Sequence, residues 1–172
     1  MPNPVENLAS KAMGAMKGGK AALEGLSGVF RKLAQEHGEV AALLMRVKSS
    51  SDPKVRADLF PTIRKELLSH EKGEMTIVYP AFREFPETID IAEKHDREAG
   101  ALRNQLELLN TTVYDDPSWM TQFDALVDLV QRHVSEEEHD FFPKGQKVLG
   151  DRSDELQKEF EEVKSATLVA LG

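Results

Sequence analysis

The 172-residue sequence contains no cysteine, only one tryptophan and two tyrosines, and no long run of apolar residues. The absence of cysteine excludes disulfides, zinc–thiolate sites and cysteine nucleophiles, so any bound metal must be held by nitrogen and oxygen ligands. No segment approaches the ~18 consecutive apolar residues of a membrane-spanning helix. The N-terminus also lacks a continuous apolar signal core. These absences together predict a cytoplasmic protein.

Basic residues are fewer than acidic ones. The chain has 22 Lys and Arg against 30 Asp and Glu, for a formal net charge of −8. A protein that binds nucleic acid generally carries a basic patch, so this balance argues against a nucleic-acid partner and favours a soluble protein. The length predicts one domain. A domain of this size buries roughly 70% of the surface of its unfolded chain, which is enough for a substantial core.

Apolar residues recur at helical spacing almost throughout, and no useful length of chain alternates like a β-strand. This pattern predicts an all-α protein. Ser27, Asp52-Pro53 and Asp116-Pro117 have the composition of helix starts. Pro61 lies within the second predicted helix and is expected to kink or restart it.

Short connections between the predicted helices imply antiparallel neighbours, and therefore an up-down-up-down four-helix bundle. Gly150-Asp151 separates one further helix from this bundle. We expect an N-terminal extension, a bundle that carries the functional site, and a C-terminal helix that packs on the bundle, at residues 1–26, 27–148 and 149–172.

The most specific feature of the sequence is a motif that occurs twice. Each copy reads His-x-x-x-Glu, then four residues, then an aromatic residue and a proline, and each is preceded by a further histidine. The first copy consists of His37, His70, Glu74 and Tyr79-Pro80; the second consists of His95, His133, Glu137 and Phe142-Pro143.

The six His and Glu residues of the motif fall on the apolar stripes of the predicted helices. Burying one unpaired polar group costs ~1–3 kcal/mol, a large part of the ~5–15 kcal/mol by which a domain is stable. A His and a Glu four residues apart share one helix face, about 6 Å apart along the axis, so both can approach one metal centre. The pattern therefore predicts a metal pair held by four imidazoles and two carboxylates. Both Glu are expected to bridge the metals, with at least one coordination position open.

Other interpretations exist for each residue alone. A lone buried His is more often a satisfied core residue, and a lone His-x-x-x-Glu is common as a surface pair; two copies in register favour the metal.

His139 is rotated off the face of His133 and is predicted to lie at the surface or behind a ligand. In the run Glu136-Glu137-Glu138 only Glu137 has ligand spacing, and the rest is expected to be mostly solvated. The tyrosines and Trp119 are predicted to be core or rim residues.

Imidazole and carboxylate ligands suit iron, manganese or zinc, and paired metals in a helical bundle favour iron or manganese. In order and spacing, the motif residues resemble those of hemerythrin-like proteins with the HHE cation-binding domain, over about residues 28–145. The resemblance implies a non-heme di-iron centre with oxo or hydroxo bridging and dioxygen or a related small molecule as ligand. Oxygen-carrying hemerythrins place a second His where this chain has Ala99, and an Asp one position beyond Glu137. The chain thus resembles the four-His, two-Glu branch.

Members of that branch are linked to peroxide breakdown, to iron or oxygen sensing and to nitric-oxide responses, as well as to oxygen binding. In a eukaryotic iron-sensing relative, the acidic residue directly after the second-helix His is a terminal ligand. Glu71 fits this position, although an exposed helix residue is the competing interpretation.

Three functions are compatible with the sequence. The first is a di-iron protein that binds or senses dioxygen, and the second is an enzyme that disproportionates peroxide at the same centre. The third is a metal-free histidine phosphotransfer bundle, which would need one exposed His and not four inward ones. The sequence leaves the oligomeric state and any protein partner open.

Overall fold

The computed structural model describes residues 25–172, so nearly all of the predicted N-terminal extension lies outside the described part. The described chain is helical, with no strand among residues 25–172. Its helices are α1 (Gly28–Lys48), α2 (Pro53–Gly73), α3 (Tyr79–Phe82), α4 (Ile89–Thr111), α5 (Trp119–Glu136), α6 (Phe142–Leu149) and α7 (Arg152–Leu171). One π-helical turn joins α2 to α3 (Glu74–Val78) and a second joins α5 to α6 (Glu137–Phe141).

The helices form the predicted all-α bundle with an extra C-terminal helix. Helix α1 packs on α2, and α4 packs on α5. Since short loops join consecutive long helices, these neighbours run antiparallel. Helix α7 packs against both α1 and α2. No helix within residues 25–172 is long and apolar enough to cross a membrane.

The apolar core is divided into two clusters. Along α1 and α4, and from α2 and α5 into the π-helical turns that follow them, the chain passes from one cluster to the other through His and Glu residues, all of them buried except the half-buried His133. One cluster contains Phe30, Leu33, Val78, Phe82, Phe142 and Phe160. The other contains Val47, Phe60, Ile63, Leu106, Trp119 and Phe123. The core thus holds a polar layer between two apolar layers.

The helix starts differ in detail from the sequence expectations. Asp52 caps α2 as predicted, because its Oδ1 accepts the Lys54 N–H at 2.9 Å. Ser27 stands at the N-cap of α1, but its side chain makes no capping bond. Helix α5 begins at Trp119 and not at Pro117, since Asp116 accepts the Ser118 N–H at 2.8 Å and holds a turn there. Helix α2 runs through Pro61 without interruption.

The two π-helical turns occupy equivalent places in the two motif copies. Each starts at the motif Glu, and its closing bond runs from the aromatic N–H to the Glu carbonyl, from Tyr79 to Glu74 and from Phe142 to Glu137. The proline that follows has no N–H, and its ring would clash with the carbonyl four residues back in a regular α-helix. The wider turn relieves this clash. It also places the aromatic residue, five positions after the Glu, on the same side of the helix as the Glu.

Candidate metal centre

The polar layer brings the six motif residues together at the centre of the bundle. Helices α1, α2, α4 and α5 contribute His37, His70, His95 and His133, and the two π-helical turns contribute Glu74 and Glu137. Five of these residues are buried, and the His133 side chain is 21% exposed. Two groups have candidate ligand atoms within 4.8 Å of one another: His37, His70, Glu74, Glu137; and Glu74, His95, His133, Glu137.

The two carboxylates are shared between the groups. Glu74 lies with Oε1 3.1 Å from His70 Nε2 and with Oε2 3.2 Å from His95 Nε2. Glu137 has its Oε2 3.1 Å from His37 Nε2 and its Oε1 3.2 Å from His133 Nε2. Each carboxylate therefore spans both pairs of histidines. In this arrangement either carboxylate could reach a cation held in either group.

Two further carboxylates hold the imidazole rings from behind. His37 Nδ1 lies 3.0 Å from Glu138 Oε1, and His70 Nδ1 lies 2.8 Å from Glu36 Oε2. A metal-binding His commonly donates its second N–H to a carboxylate, which fixes the tautomer and the ring orientation. If Nδ1 of both rings carries the proton, His37 Nε2 and His70 Nε2 each have a free lone pair, and these two atoms face each other at 3.2 Å. Such an arrangement needs a proton or a cation between the two rings.

Glu138 corrects the expectation of a mostly solvated acidic run. It is 5% exposed, and Glu36 on α1 is 3% exposed. Sequence reasoning missed both residues because neither lies on the ligand stripe. Each directly adjoins a motif residue, His37 or Glu137, and so points about 100° away from it around the helix, toward a neighbouring helix. The only sequence signal is an acidic residue next to a candidate ligand.

The electrostatics of the centre favour bound positive charge, whether protons or a metal ion. Burial lowers the pKa of His70, but Glu74 and Glu36 outweigh that effect and raise it to about 10. Burial and the charge of Glu74 would raise the pKa of Glu137, yet His133 and His37 bring it down to about 2. Three buried atoms, Glu74 Oε1, Glu137 Oε2 and His95 Nδ1, have no hydrogen-bond partner among the described residues. The nitrogen and carboxylate donors therefore fit a multivalent metal ion.

The aromatic residue of each motif copy packs on the histidine that precedes the other copy. The ring of Tyr79 stacks on His95 at a centroid distance of 3.7 Å, and that of Phe142 stacks on His37 at 5.7 Å. The Tyr79 hydroxyl also donates to Glu137 Oε1. Tyr79 is thus a core residue, as predicted, and in addition orients a candidate bridging carboxylate. Phe142 has no hydroxyl, so the two halves of the centre differ in this hydrogen bond.

Glu71 is buried and not exposed. It is 4% exposed, and neither of its oxygens has a hydrogen-bond partner among the described residues. The Nε of Arg103 lies 3.7 Å from Glu71 Oε1. Burial raises the pKa of Glu71 to about 7, although Arg103 opposes the shift. Glu71 belongs to neither four-residue group, so its ligation stays a prediction.

A cavity of about 320 Å³ adjoins the centre. Its walls include apolar side chains from all four long helices, among them Val40, Leu67, Ala99 and Val130. The small side chain of Ala99 leaves space beside His95. The cavity gives a small molecule a route to the candidate ligands. His139 lies elsewhere, as expected: it is exposed, and its Nδ1 lies 2.9 Å from the Ser135 carbonyl oxygen.

The extra helix α7 supports the centre from outside the bundle. Its Lys164 Nζ lies 3.0 Å from Glu36 and 2.8 Å from Glu66. The ring of Phe160 meets His70 edge-on at 6.0 Å and covers Gly73, where any Cβ would collide with it. The carboxylate behind His70 is therefore itself held by the last helix.

The chain is similar in sequence to known proteins. The chain is 27% identical over 141 residues to a DNA nickase of Nostoc sp. (strain PCC 7120), covering 81% of this chain and 40% of that protein. It is 24% identical over 119 residues to an uncharacterized hemerythrin-like protein of Schizosaccharomyces pombe, covering 68% of this chain and 59% of that one. The chain thus spans less than two thirds of the length of either relative. No solved structure matches it.

The family comparison covers all four long helices. A model of the hemerythrin HHE cation-binding domain matches residues 22–145, which contain every motif residue, both outer carboxylates and Glu71. The buried His and Glu groups are those of a metal-binding domain. The chain therefore belongs to the hemerythrin HHE cation-binding domain family.

Proposed function

We propose that the chain is a non-heme di-iron protein that binds or senses dioxygen or a related small ligand. Two irons, with an oxo or hydroxo bridge, would be held by His37, His70, Glu74, His95, His133 and Glu137. The observation that carries the proposal is that Glu74 and Glu137 each approach a histidine of both pairs. One ion between each pair of imidazoles would neutralise both buried carboxylates.

Iron supplies redox chemistry and an exchangeable coordination position for a small ligand. The protein positions the donors. Glu36 and Glu138 hold the His70 and His37 rings with Nε2 toward the centre. Tyr79 orients Glu137 by a hydrogen bond and covers one face of His95. The two apolar clusters shield the polar layer on both sides, and the cavity gives a small ligand access to it.

Metal analysis combined with optical spectra tests this function. We expect near-stoichiometric binding of two irons per chain and a visible oxo-bridged di-iron spectrum that differs between air and nitrogen. A Glu137→Ala variant should lose this spectrum because it lacks one bridging carboxylate. Purified protein without an iron pair after reconstitution would refute the proposal. A spectrum that is indifferent to oxygen would leave a metal site but rule out oxygen binding.

Peroxide disproportionation is the second candidate function. The observation that favours it is Glu71, a buried carboxyl group without a hydrogen-bond partner that lines the cavity beside the candidate ligands. Such a group is placed to exchange a proton with a molecule in the cavity. Iron-loaded protein should then evolve oxygen from peroxide, and Glu71→Gln should slow this reaction without loss of iron. No oxygen evolution by fully loaded protein would exclude this candidate.

Two other functions have less support. DNA nicking is named for the Nostoc relative, but this chain spans 40% of that protein and has a net charge of −8. Phosphotransfer needs an accessible imidazole, and among the described histidines only His139 is exposed. His139 lies outside the shared motif.

A further inference from the structure

The cavity beside the metal centre has a closed end and an open end. Its lining residues on α1 and α2 are all buried, whereas those that reach solvent all lie on α4 and α5. Arg97 and Ala101 on α4 and Arg132 on α5 are the exposed ones. The cavity therefore runs from a mouth between α4 and α5 to an inner wall formed by α1 and α2.

The cavity is larger than a diatomic ligand needs. A water molecule takes about 30 Å³ in the liquid, and dioxygen is of similar size. At about 320 Å³ the cavity reaches the lower end of the ~300–1,000 Å³ range of small-molecule pockets. Five of the six candidate ligands line its inner part, so this volume includes the space that metal ions and their small ligand would fill. Protein interiors hold few voids larger than one water, so this space is a built feature of the fold. It matches a small organic molecule.

The mouth carries positive charge although the chain is acidic. Arg97 and Arg132 are exposed, and within residues 25–172 no carboxylate lies within 4.0 Å of either guanidinium. The acidic residue at the mouth, Glu98, is 3.7 Å from Lys94 and 4.0 Å from His133 Nδ1, so its charge has its own partners. Guanidinium groups recognise carboxylates by paired, charge-assisted hydrogen bonds. An anionic head group would therefore rest at the mouth.

Among the polar residues of the inner wall, Glu71 alone is neither in the two four-residue groups nor hydrogen-bonded to a candidate ligand, and its nearest cation is Arg103 at 3.7 Å. Glu71 is 4% exposed and lines the cavity, and neither of its oxygens has a hydrogen-bond partner among the described residues. A buried acceptor without a donor is costly, and a ligand hydroxyl would satisfy it. Between Glu71 and the mouth the walls are apolar, with Leu67, Ala99, Leu102 and Val130.

We propose that this cavity binds a small organic acid with its carboxylate at Arg97 and Arg132, an apolar body against Ala99 and Val130, and a hydroxyl at Glu71. Such a molecule lies beside the metal centre. It either reacts there as a substrate or controls the access of the small ligand. The proposal goes beyond oxygen binding and does not depend on the identity of the metal.

Calorimetric titration of the protein as purified, with its metal content measured, tests the proposal with matched probes. Phloretate, a phenol joined to a propionate, carries all three features. Hydrocinnamate lacks the hydroxyl, and para-ethylphenol lacks the carboxylate. We expect phloretate to bind about tenfold more tightly than either, since each lost polar contact corresponds to roughly that factor.

Variants locate the probe in the cavity. Ala99→Leu, which fills the cavity, should weaken phloretate binding at least tenfold, whereas Ala125→Leu on the exposed side of α5 should not. Replacing both Arg97 and Arg132 by Ala should remove the preference over para-ethylphenol, and Arg31→Ala, at an exposed site outside the cavity, is the control. Glu71→Leu should remove the preference over hydrocinnamate.

Several outcomes would overturn the proposal. Absence of phloretate binding to metal-loaded, folded protein would do so, as would binding that Ala99→Leu and the arginine pair leave unchanged. A visible phenolate-to-iron band on titration would place the hydroxyl on the metal and not on Glu71. If Ala99→Leu does not fold, the double arginine variant still decides where the carboxylate lies. Loss of oxygen-dependent spectra without loss of phloretate binding would refute only the proposed function.

Discussion

At the scale of single residues, the centre contains two pairs of adjacent residues whose side chains contact different partners. His37 faces Glu137, whereas the adjacent Glu36 reaches His70. Glu137 faces the centre, and the adjacent Glu138 holds His37 from behind. In each pair, one residue is a candidate ligand and the other holds a candidate ligand of a different helix in place.

The outer carboxylates give a direct test of this division. Glu36→Gln or Glu138→Gln should weaken metal binding ~10- to 100-fold while the six candidate ligands remain, as is usual when the hydrogen-bond partner of a metal-binding His is lost. Competition with a chelator measures the affinity. Glu39→Gln, on the exposed side of α1, is the matched control. Equal affinity of all three variants would mean that Glu36 and Glu138 do not orient the imidazoles.

Glu71 tests the limits of the ligand set. Because its oxygens lie outside both four-residue groups, Glu71→Gln should retain two metal ions per chain. Elemental analysis of the reconstituted variant checks this. A variant that holds only one ion would show that Glu71 is a terminal ligand.

At the scale of helices, the prolines after the two motif copies and the glycine at the end of α2 shape the backbone around the centre. The sequence pattern placed His70 and Glu74 on one stripe and His133 and Glu137 on another, and the helices bury all four side chains at least in large part. The π-helical turns were not predictable from this pattern, because a period of 3.6 residues places Tyr79 and Phe142 off the stripe. The prolines that follow them were the available signal.

Close packing of α7 on α2 gives a stability prediction for Gly73. A Cβ at this position would collide with the ring of Phe160, so Gly73→Ala should destabilise the fold by ~1–3 kcal/mol, as overpacking in a core does. Gly100→Ala, in α4, meets no atom within 4 Å and should instead stabilise by about 0.5–1 kcal/mol. Urea unfolding of the two variants measures both. A neutral Gly73→Ala would mean that α7 moves away at little cost.

At the scale of the whole molecule, stability and metal loading are linked through protons. In the metal-free protein, His70 has its pKa raised from 6.5 to about 10, so its contribution is complete below pH 6.5 and is lost as the pH rises toward 10. Glu137 has its pKa lowered from 4.5 to about 2, so its contribution is complete above pH 4.5 and is lost as the pH falls toward 2. The metal-free protein should be most stable between these limits.

A bound metal takes the place of the proton on His70, so the loaded protein should not lose that stability at alkaline pH. We therefore expect the difference in melting temperature between loaded and metal-free protein to grow as the pH rises from 6.5 to about 9. Thermal unfolding of both forms over this range measures it. A difference that shrinks with rising pH would contradict the assignment of His70 to the metal.

The sequence by itself determined the helical fold and the six residues of the polar layer. Residues on the buried face of a helix recur every three or four positions, and this spacing is visible in the sequence. Only the tertiary structure decided how the two carboxylates are shared, that Glu36 and Glu138 support the imidazoles, that Glu71 is buried, and that α7 closes over Gly73. These contacts join residues from different helices. They depend on how each helix is rotated and packed against its neighbours, which no local spacing encodes.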